Sequence, residues 1–301
     1  MSWFAGGAEA KSSNRSKRSE DRHFNMNLRP PLFPVLSLPA CSPVSGRMQR
    51  LANVRIVLSN PSHPGNIGAA ARAMKTMGVA RLMLVNPERF PDPVATARAA
   101  GADDVLQAAP ICQSLDEALH GTILAIALSA RQRDLGPAPL SVRDAASLVL
   151  EQAERGDVAL VFGNETRGLS NEDVQRCRYI VHIPADPAYS SLNLGAAVQV
   201  LCYELRQNAL SGAPLGQECT AAGRVTPFSS PPATHEEVER FYAHLRDVMI
   251  RAGFHDPQHP KRLMPKLRRL FGRVALERDE VNILRGILDA VDKNPGAGQE
   301  E

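Results

Sequence analysis

Three stretches of this 301-residue chain gather residue types that can do chemistry. The first, NPSHPGNIGAAAR, runs from Asn60 to Arg72. Pro64 and Gly65 force a turn, Gly68 and Ala69 to Ala71 allow close backbone approach, and Arg72 follows one helical turn after Gly68. Arginine there suits a phosphate, because its planar fork cannot lose charge near neutral pH. A tight turn beside a solvated arginine accounts for the string equally well. The second stretch, VFGNETRGLS from Val161 to Ser170, brackets Asn164 and Glu165 between Gly163 and Gly168. Such a loop can present carbonyls and amides to an adenosine-sized ligand while Glu165 fixes neighbouring donors; the plainer reading is a reverse turn with exposed acids. The third runs from Ile183 to Leu205, where Ser190, Ser191 and Asn193 stand before a helix whose Leu194, Val198, Leu201 and Leu205 face a core. Ser190 or Ser191 is equally a plain helix N-cap, which does not prevent it from also holding a ligand.

Each of these loops follows a strand. VRIVLS (54–59), RLMLV (81–85), TILAIAL (122–128), VALVF (158–162) and YIVHI (179–183) read as buried strands. Helices are expected at 64–78, with Gly78 as the stop, around 141–154 and over 191–207. Strands alternating with helices predict an α/β domain, a parallel sheet covered on both faces, over residues 48–210. Open parallel sheets bind ligands where strands end, and that is where the three loops fall. Residues 211–233 have linker composition. Over 234–292 a small helical module is expected: Thr234 and Glu237 form a capping box, Val238, Phe241, Leu245 and Val248 share a face, and a further helix falls near 281–291. The last residues, 293–301, read as a polar tail.

Charge is uneven although the net value is only +3. Residues 1–47 hold seven basic and three acidic residues, lack periodicity and read as a disordered extension; Met48 is an alternative start. From Lys261 to Arg273 stand Lys261, Arg262, Lys266, Arg268, Arg269 and Arg273 with no acid, a patch that could meet phosphate or simply form a solvated helix face. A uniformly basic nucleic-acid binder is excluded. No apolar run is long enough to span a membrane, so none is expected as a partner. The five cysteines lie apart from one another and the eight histidines lack ligand spacing, so no metal site is expected and the compartment reads as reducing and cytoplasmic. No phosphate-binding G-x-x-x-x-G-K-[ST] and no G-x-S-x-G elbow occur, and the glycines at 65 and 68 are not a dinucleotide fingerprint, which leaves a dehydrogenase as a runner-up.

NPSHPGNIGAAARAMKTMG, LVFGNETRGLS and YSSLNLGAAVQV, in this order and spacing, resemble motifs one, two and three of the SpoU class of RNA 2′-O-methyltransferases. Within the class, the chain is most similar to bacterial enzymes that methylate the ribose of a tRNA cytidine or uridine at position 32, the first pyrimidine of the anticodon loop. That resemblance runs from about Val54 through Leu288 and includes FYAHLRDVM, KLRRLFGR and EVNILRGIL.

The resemblance implies a deep trefoil knot in the α/β domain, S-adenosylmethionine as methyl donor without a metal, tRNA as substrate and a homodimer. It also implies a donor site lined by Leu128, Ser129, Ala130, Gly163, Ile183, Ser190, Ser191 and Leu192. Asn66 and Arg72 match the motif-one asparagine and arginine, and Ser191 and Asn193 complete the implied catalytic set. Glu165 is expected to act through its neighbours, and the Lys261–Arg273 patch to dock tRNA. The alternatives are another tRNA or rRNA ribose as target, or a catalytically silent RNA-binding homologue.

Overall fold

The computed structural model describes residues 43–131, 136–211 and 230–293. Most of the expected extension, most of the 211–233 linker and nearly all of the tail therefore lie outside the described residues. The elements are, in order, α1 (Pro43–Arg50), β1 (Val54–Ser59), α2 (Pro64–Met77), β2 (Arg81–Val85), α3 (Pro93–Ala99), α4 (Asp103–Gln107), β3 (Ile111–Cys112), α5 (Leu115–Ala118) and β4 (Thr122–Leu128). There follow β5 (Ala138–Leu140), α6 (Val142–Gln152), β6 (Asp157–Phe162), α7 (Asn171–Gln175), β7 (Tyr179–Val181), α8 (Leu194–Ser211), α9 (His235–Arg251), α10 (Leu263–Gly272) and α11 (Arg278–Lys293). The seven strands form one parallel sheet in the order β3-β2-β1-β6-β4-β7-β5.

Strict alternation along the central strands makes two cores. Ile56, Leu58, Leu124, Ile126, Leu128, Leu160 and Phe162 face the long helices α2, α6 and α8, with Met74, Val149, Val198 and Leu201 packed on them. The other face presents small residues, Ala125, Ala127 and Ala159, with Val57 and Val161, to the short helices α5 and α7. Burial on both faces is what a parallel sheet requires, and it explains why the strand sequences read as continuous apolar runs.

Five of the seven strands coincide closely with the runs expected from sequence. The other two, β3 and β5, have two and three residues at the sheet edges and too little length for a period. Helix α1 corrects the expected disorder at its C-terminal end: it begins at Pro43, and Met48 packs against the first core. Helix α8 corrects another expectation, since it begins at Leu194 and neither serine caps it. Asn193 does so, its Oδ1 accepting the Gly195 N–H at 2.9 Å.

Glycine permits three close approaches around the loops. A Cβ on Gly68 would stand 2.0 Å from the Ala95 carbonyl oxygen of α3, and one on Gly195 would stand 2.7 Å from Ala69 Cβ, so α2 touches α3 and α8 nearly backbone to backbone. A Cβ on Gly163 would meet the Gly168 backbone at 2.3 Å, which folds the second loop onto its own start.

The C-terminal helices bury Phe241, Tyr242 and Val281 with Phe271 and Leu288 around them, a core separate from the sheet. They meet the sheet at the beginnings of its strands: the Gly121 N–H donates to Glu236, His235 Nε2 lies 3.0 Å from Asp116, and Arg178 Nε donates to the Gly272 carbonyl. No helix among the described residues is long and apolar enough to cross a membrane.

Replacing Gly68 with alanine forces backbone to move rather than a flexible side-chain end. The expected cost is about 1–3 kcal/mol, read as a lower Tm and a lower urea midpoint with unchanged slope. An unchanged Tm would show that α3 can shift freely.

Candidate active site

All three loops lie where the strands end, and one chain of hydrogen bonds joins them. Glu165 of the second loop accepts from the Ser62 N–H at 2.9 Å, the Ser62 hydroxyl at 2.8 Å, the His63 N–H at 3.3 Å and the Asn66 amide at 2.9 Å. Asn66 Oδ1 in turn accepts from Asn193 Nδ2 at 2.9 Å, and Asn193 caps α8. Burial pushes the Glu165 carboxyl up, but the Ser62 N–H, the Asn66 amide and the other donors outweigh it and hold it below the usual carboxylate range. Glu165 is therefore an anion at neutral pH with both oxygens occupied, a brace between loops rather than a proton carrier. A second tie runs from Asn164, whose Nδ2 donates to the Asn60 carbonyl while its Oδ1 accepts from the Thr166 and Arg167 N–H groups.

The first loop is shaped from within. His63 caps α2 by accepting the Gly65 N–H on Nδ1 at 3.1 Å, Pro64 opens the helix, and Gly78 closes it with a left-handed φ of 83°.

Beside these ties opens a cleft of about 350 Å³. Its floor is Leu128, Phe162, Val181, Ile183, Leu194 and Ala197, and its rim carries Ser129, Ala130, Arg131, Gly163, Thr166, Arg167, Ser190, Ser191 and Leu192. All eight residues expected from sequence to form the donor site line this one cleft. Phe162, Val181, Leu194, Ala197 and Arg131 join them: the first two are apolar strand ends and the next two lie on α8, all of which look like core until the sheet order is known, while Arg131 follows β4 with no pattern around it.

Arg72 lies elsewhere. It is exposed on α2, its guanidinium has no hydrogen-bond partner among the described residues, and it lines a second cleft of about 460 Å³ with Thr76, Arg98, Asn193 and Gln199. The two clefts share no lining residue. They open on opposite sides of the segment 190–199: Ser191, Leu192, Leu194 and Ala197 face one, Asn193, Gly195, Ala196 and Gln199 the other.

The pattern of the SpoU rRNA Methylase family matches residues 53–203, the stretch that builds the sheet and the three loops. The chain belongs to the SpoU methylase family. Residues 236–300 match the C-terminal domain of the tRNA methyltransferase TrmJ. This SpoU methylase is 48% identical over 244 residues to the tRNA (cytidine/uridine/adenosine-2′-O-)-methyltransferase TrmJ of Pseudomonas aeruginosa, covering 81% of this chain and 95% of that one. It is 47% identical over 243 residues to the tRNA (cytidine/uridine-2′-O-)-methyltransferase TrmJ of Pectobacterium atrosepticum, covering 81% and 98%. Among solved structures, TrmJ from Z. mobilis is similar with a TM-score of 0.68 at 32% identity, covering 79% of this chain and 98% of that chain.

Against that background the basic patch of this SpoU methylase needs one correction. Arg268 turns inward from α10: its two terminal nitrogens each stand 2.5 Å from a Glu239 carboxylate oxygen, and its guanidinium lies 4.3 Å over the Tyr242 ring. A charge run read along a sequence does not reveal which member faces the neighbouring helix. Lys261, Arg262, Lys266 and Arg273 are exposed and carry no side-chain hydrogen bond among the described residues; Arg269 is exposed as well. No cluster of three or more metal-ligating side chains occurs among the described residues.

Replacing Glu165 with glutamine puts a donor where an acceptor is needed, so the loops should loosen by about 1–2 kcal/mol near neutral pH. Because the carboxyl is held below its unfolded value, its contribution is full above roughly pH 5 and fades as acid protonates it. Denaturation of both proteins between pH 7 and pH 3 should show the stability gap closing on the acid side; a gap independent of pH would contradict the ionised brace.

Proposed function

We propose that the chain transfers a methyl group from S-adenosylmethionine to a ribose 2′-hydroxyl of tRNA, at the first pyrimidine of the anticodon loop. The observation that carries this reading is the Glu165–Asn66–Asn193 chain, which ties the two loops lining the donor cleft to the first loop beside it, in a protein whose TrmJ relatives are named for tRNA 2′-O-methylation. The cleft suits the donor. Its volume lies in the range of small-molecule sites, its apolar floor can take an adenine and a methionine chain, and Arg131 and Arg167 at the rim can meet a carboxylate. Leu128, Ser129, Ala130, Gly163, Ile183, Ser190, Ser191 and Leu192 would hold it. Bound there, S-adenosylmethionine supplies a methyl group already attached to a cationic sulfur leaving group.

What remains for the protein is alignment and charge. Ser191 and Asn193 orient the two reactants, and the apolar floor of the cleft disfavours water beside them. Arg72 is a poor base, since its guanidinium stays protonated at neutral pH. It holds the target phosphate and stabilises the oxyanion that develops on the ribose, while the substrate phosphate or a water receives the proton.

The placement of Arg72 and the donor cleft on opposite sides of residues 190–199 supports a homodimer in which Arg72 of one copy faces the donor cleft of the other. The same family reading implies a trefoil knot. The strand order supports it, because β7 lies between β4 and β5, which follow one another along the chain. We further assign catalysis to residues 48–210, and tRNA docking to Lys261, Arg262, Lys266, Arg269 and Arg273 of the 234–292 module. The reaction implies a cytoplasmic enzyme.

Calorimetry should detect S-adenosylmethionine binding, and mass analysis of tRNA should show the ribose methyl disappearing when the gene is removed. Unmethylated tRNA in the intact strain would reject the reading. Arg72→Lys should lower kcat at least about tenfold, because an ammonium cannot bind a phosphate in bidentate fashion; a near-native rate would contradict the phosphate role.

Charge reversal at Lys266 and Arg273 together should weaken tRNA binding and flatten its salt dependence, by roughly one unit of log–log slope for each phosphate no longer neutralised. Affinity unchanged across a salt series would remove the patch from the interface.

A further inference from the structure

Arg98 belongs to none of the three motifs, yet the second cleft is built around it. Helix α3 is pressed onto α2 by the absence of a side chain at Gly68, and the Arg98 stem fills the edge of that seam: its Cβ would lie 2.9 Å from a Cβ on Gly68, its Cγ 3.5 Å from one on Gly65. The stem is thus held in place while the side chain continues into the cleft that Arg72 lines from α2. Neither guanidinium has a hydrogen-bond partner among the described residues. The remaining polar lining is Thr76, Asn193 and Gln199, and no carboxylate among the described residues lines the cleft. Two cations facing one cavity without a counter-charge repel each other, a cost that an anion between them removes.

We propose that this cleft binds a phosphodiester group of the RNA substrate, with Arg98 as a second positioning residue beside Arg72. The inference rests on the tRNA methylation reading and deepens it, because it says how the strand near the target ribose is gripped. Two planar forks from adjacent helices can share the oxygens of one phosphate, fixing its direction as well as its position. Gln199 and Asn193 can donate to a neighbouring ribose or phosphate oxygen from α8. A grip of this kind carries no sequence information; it sets register, so the residue should act on RNA binding and alignment and leave the donor cleft untouched.

Three replacements separate charge from packing. Arg98→Met keeps the aliphatic stem over Gly65 and Gly68 and removes the charge, Arg98→Lys keeps a charge without the fork, and Arg98→Ala removes both. With tRNA as the probe, the methionine variant should raise KM about three- to tenfold and lower the salt slope of binding by about 0.7–0.9, with Tm and S-adenosylmethionine affinity unchanged. Lysine should recover the salt slope and only part of the KM. If Arg98→Met matches the unaltered enzyme in KM and salt slope, the inference is overturned. It is equally overturned if the lysine, methionine and alanine variants all fall in activity and Tm together, since Arg98 would then only pack. An unaltered protein that methylates no tRNA would instead defeat the underlying reading, so the two failures are distinguishable.

Discussion

A single carboxylate has to stay ionised for the three loops to share one geometry. Glu165 offers its two oxygens to four donors from the first loop, and one of those donors, Asn66, passes the constraint to Asn193 and so to the start of α8. The first and second loops are separated by about a hundred residues of chain, so only contacts across the fold can fix one against the other. Charge-assisted hydrogen bonds are directional, so they fix orientation where burial alone would fix only proximity. Neutralising Glu165 would remove an acceptor from a partly buried cluster and leave several N–H groups competing for the rest.

The glycines make that network possible. Asn66 can reach Asn193 only because Gly195 brings α8 against Ala69, and the Glu165 loop closes only because Gly163 lets Gly168 pass at backbone distance. Small residues on α2 serve the same end, since Gly68 is buried against the Ala95 backbone and Ala70 and Ala71 are fully buried. Precision at the site is thus traded against tolerance: positions that carry no chemistry admit no side chain larger than the one present.

Much of this is legible in the sequence because the decisive features are local. Five strand runs, the Gly78 stop and the three loops depend on neighbours within a few residues, and those signals survive without tertiary information. A carboxylate in a glycine-bracketed loop reads as a group that gathers donors, and Glu165 accepts from four. The rest depends on neighbours distant along the chain. Asn193 rather than a serine caps α8 because Asn66 holds its other end; Arg268 is claimed by Glu239 and Tyr242 of a different helix; Arg98 stands in an alanine-rich segment with no pattern, and only the approach at Gly68 brings it beside Arg72.

The two ends of the sheet divide the work. At the strand beginnings, charges are satisfied internally: Asp157 pairs with Arg55 and Arg81, and Asp116 pairs with Arg176 and lies within hydrogen-bond distance of His235. The His235 hydrogen bond, joined by Arg176, holds the Asp116 carboxyl far below the usual range against the cost of burial. The helical module is moored there, at Asp116, Gly121 and Arg178. At the strand ends, cations such as Arg72 and Arg98 stay unpaired among the described residues and the clefts are open. A seven-residue strand separates the two rims by roughly 20 Å, so the mooring of the helical module stands apart from the clefts. The sheet thus keeps the groups that hold the module in place away from the cations that line the open clefts.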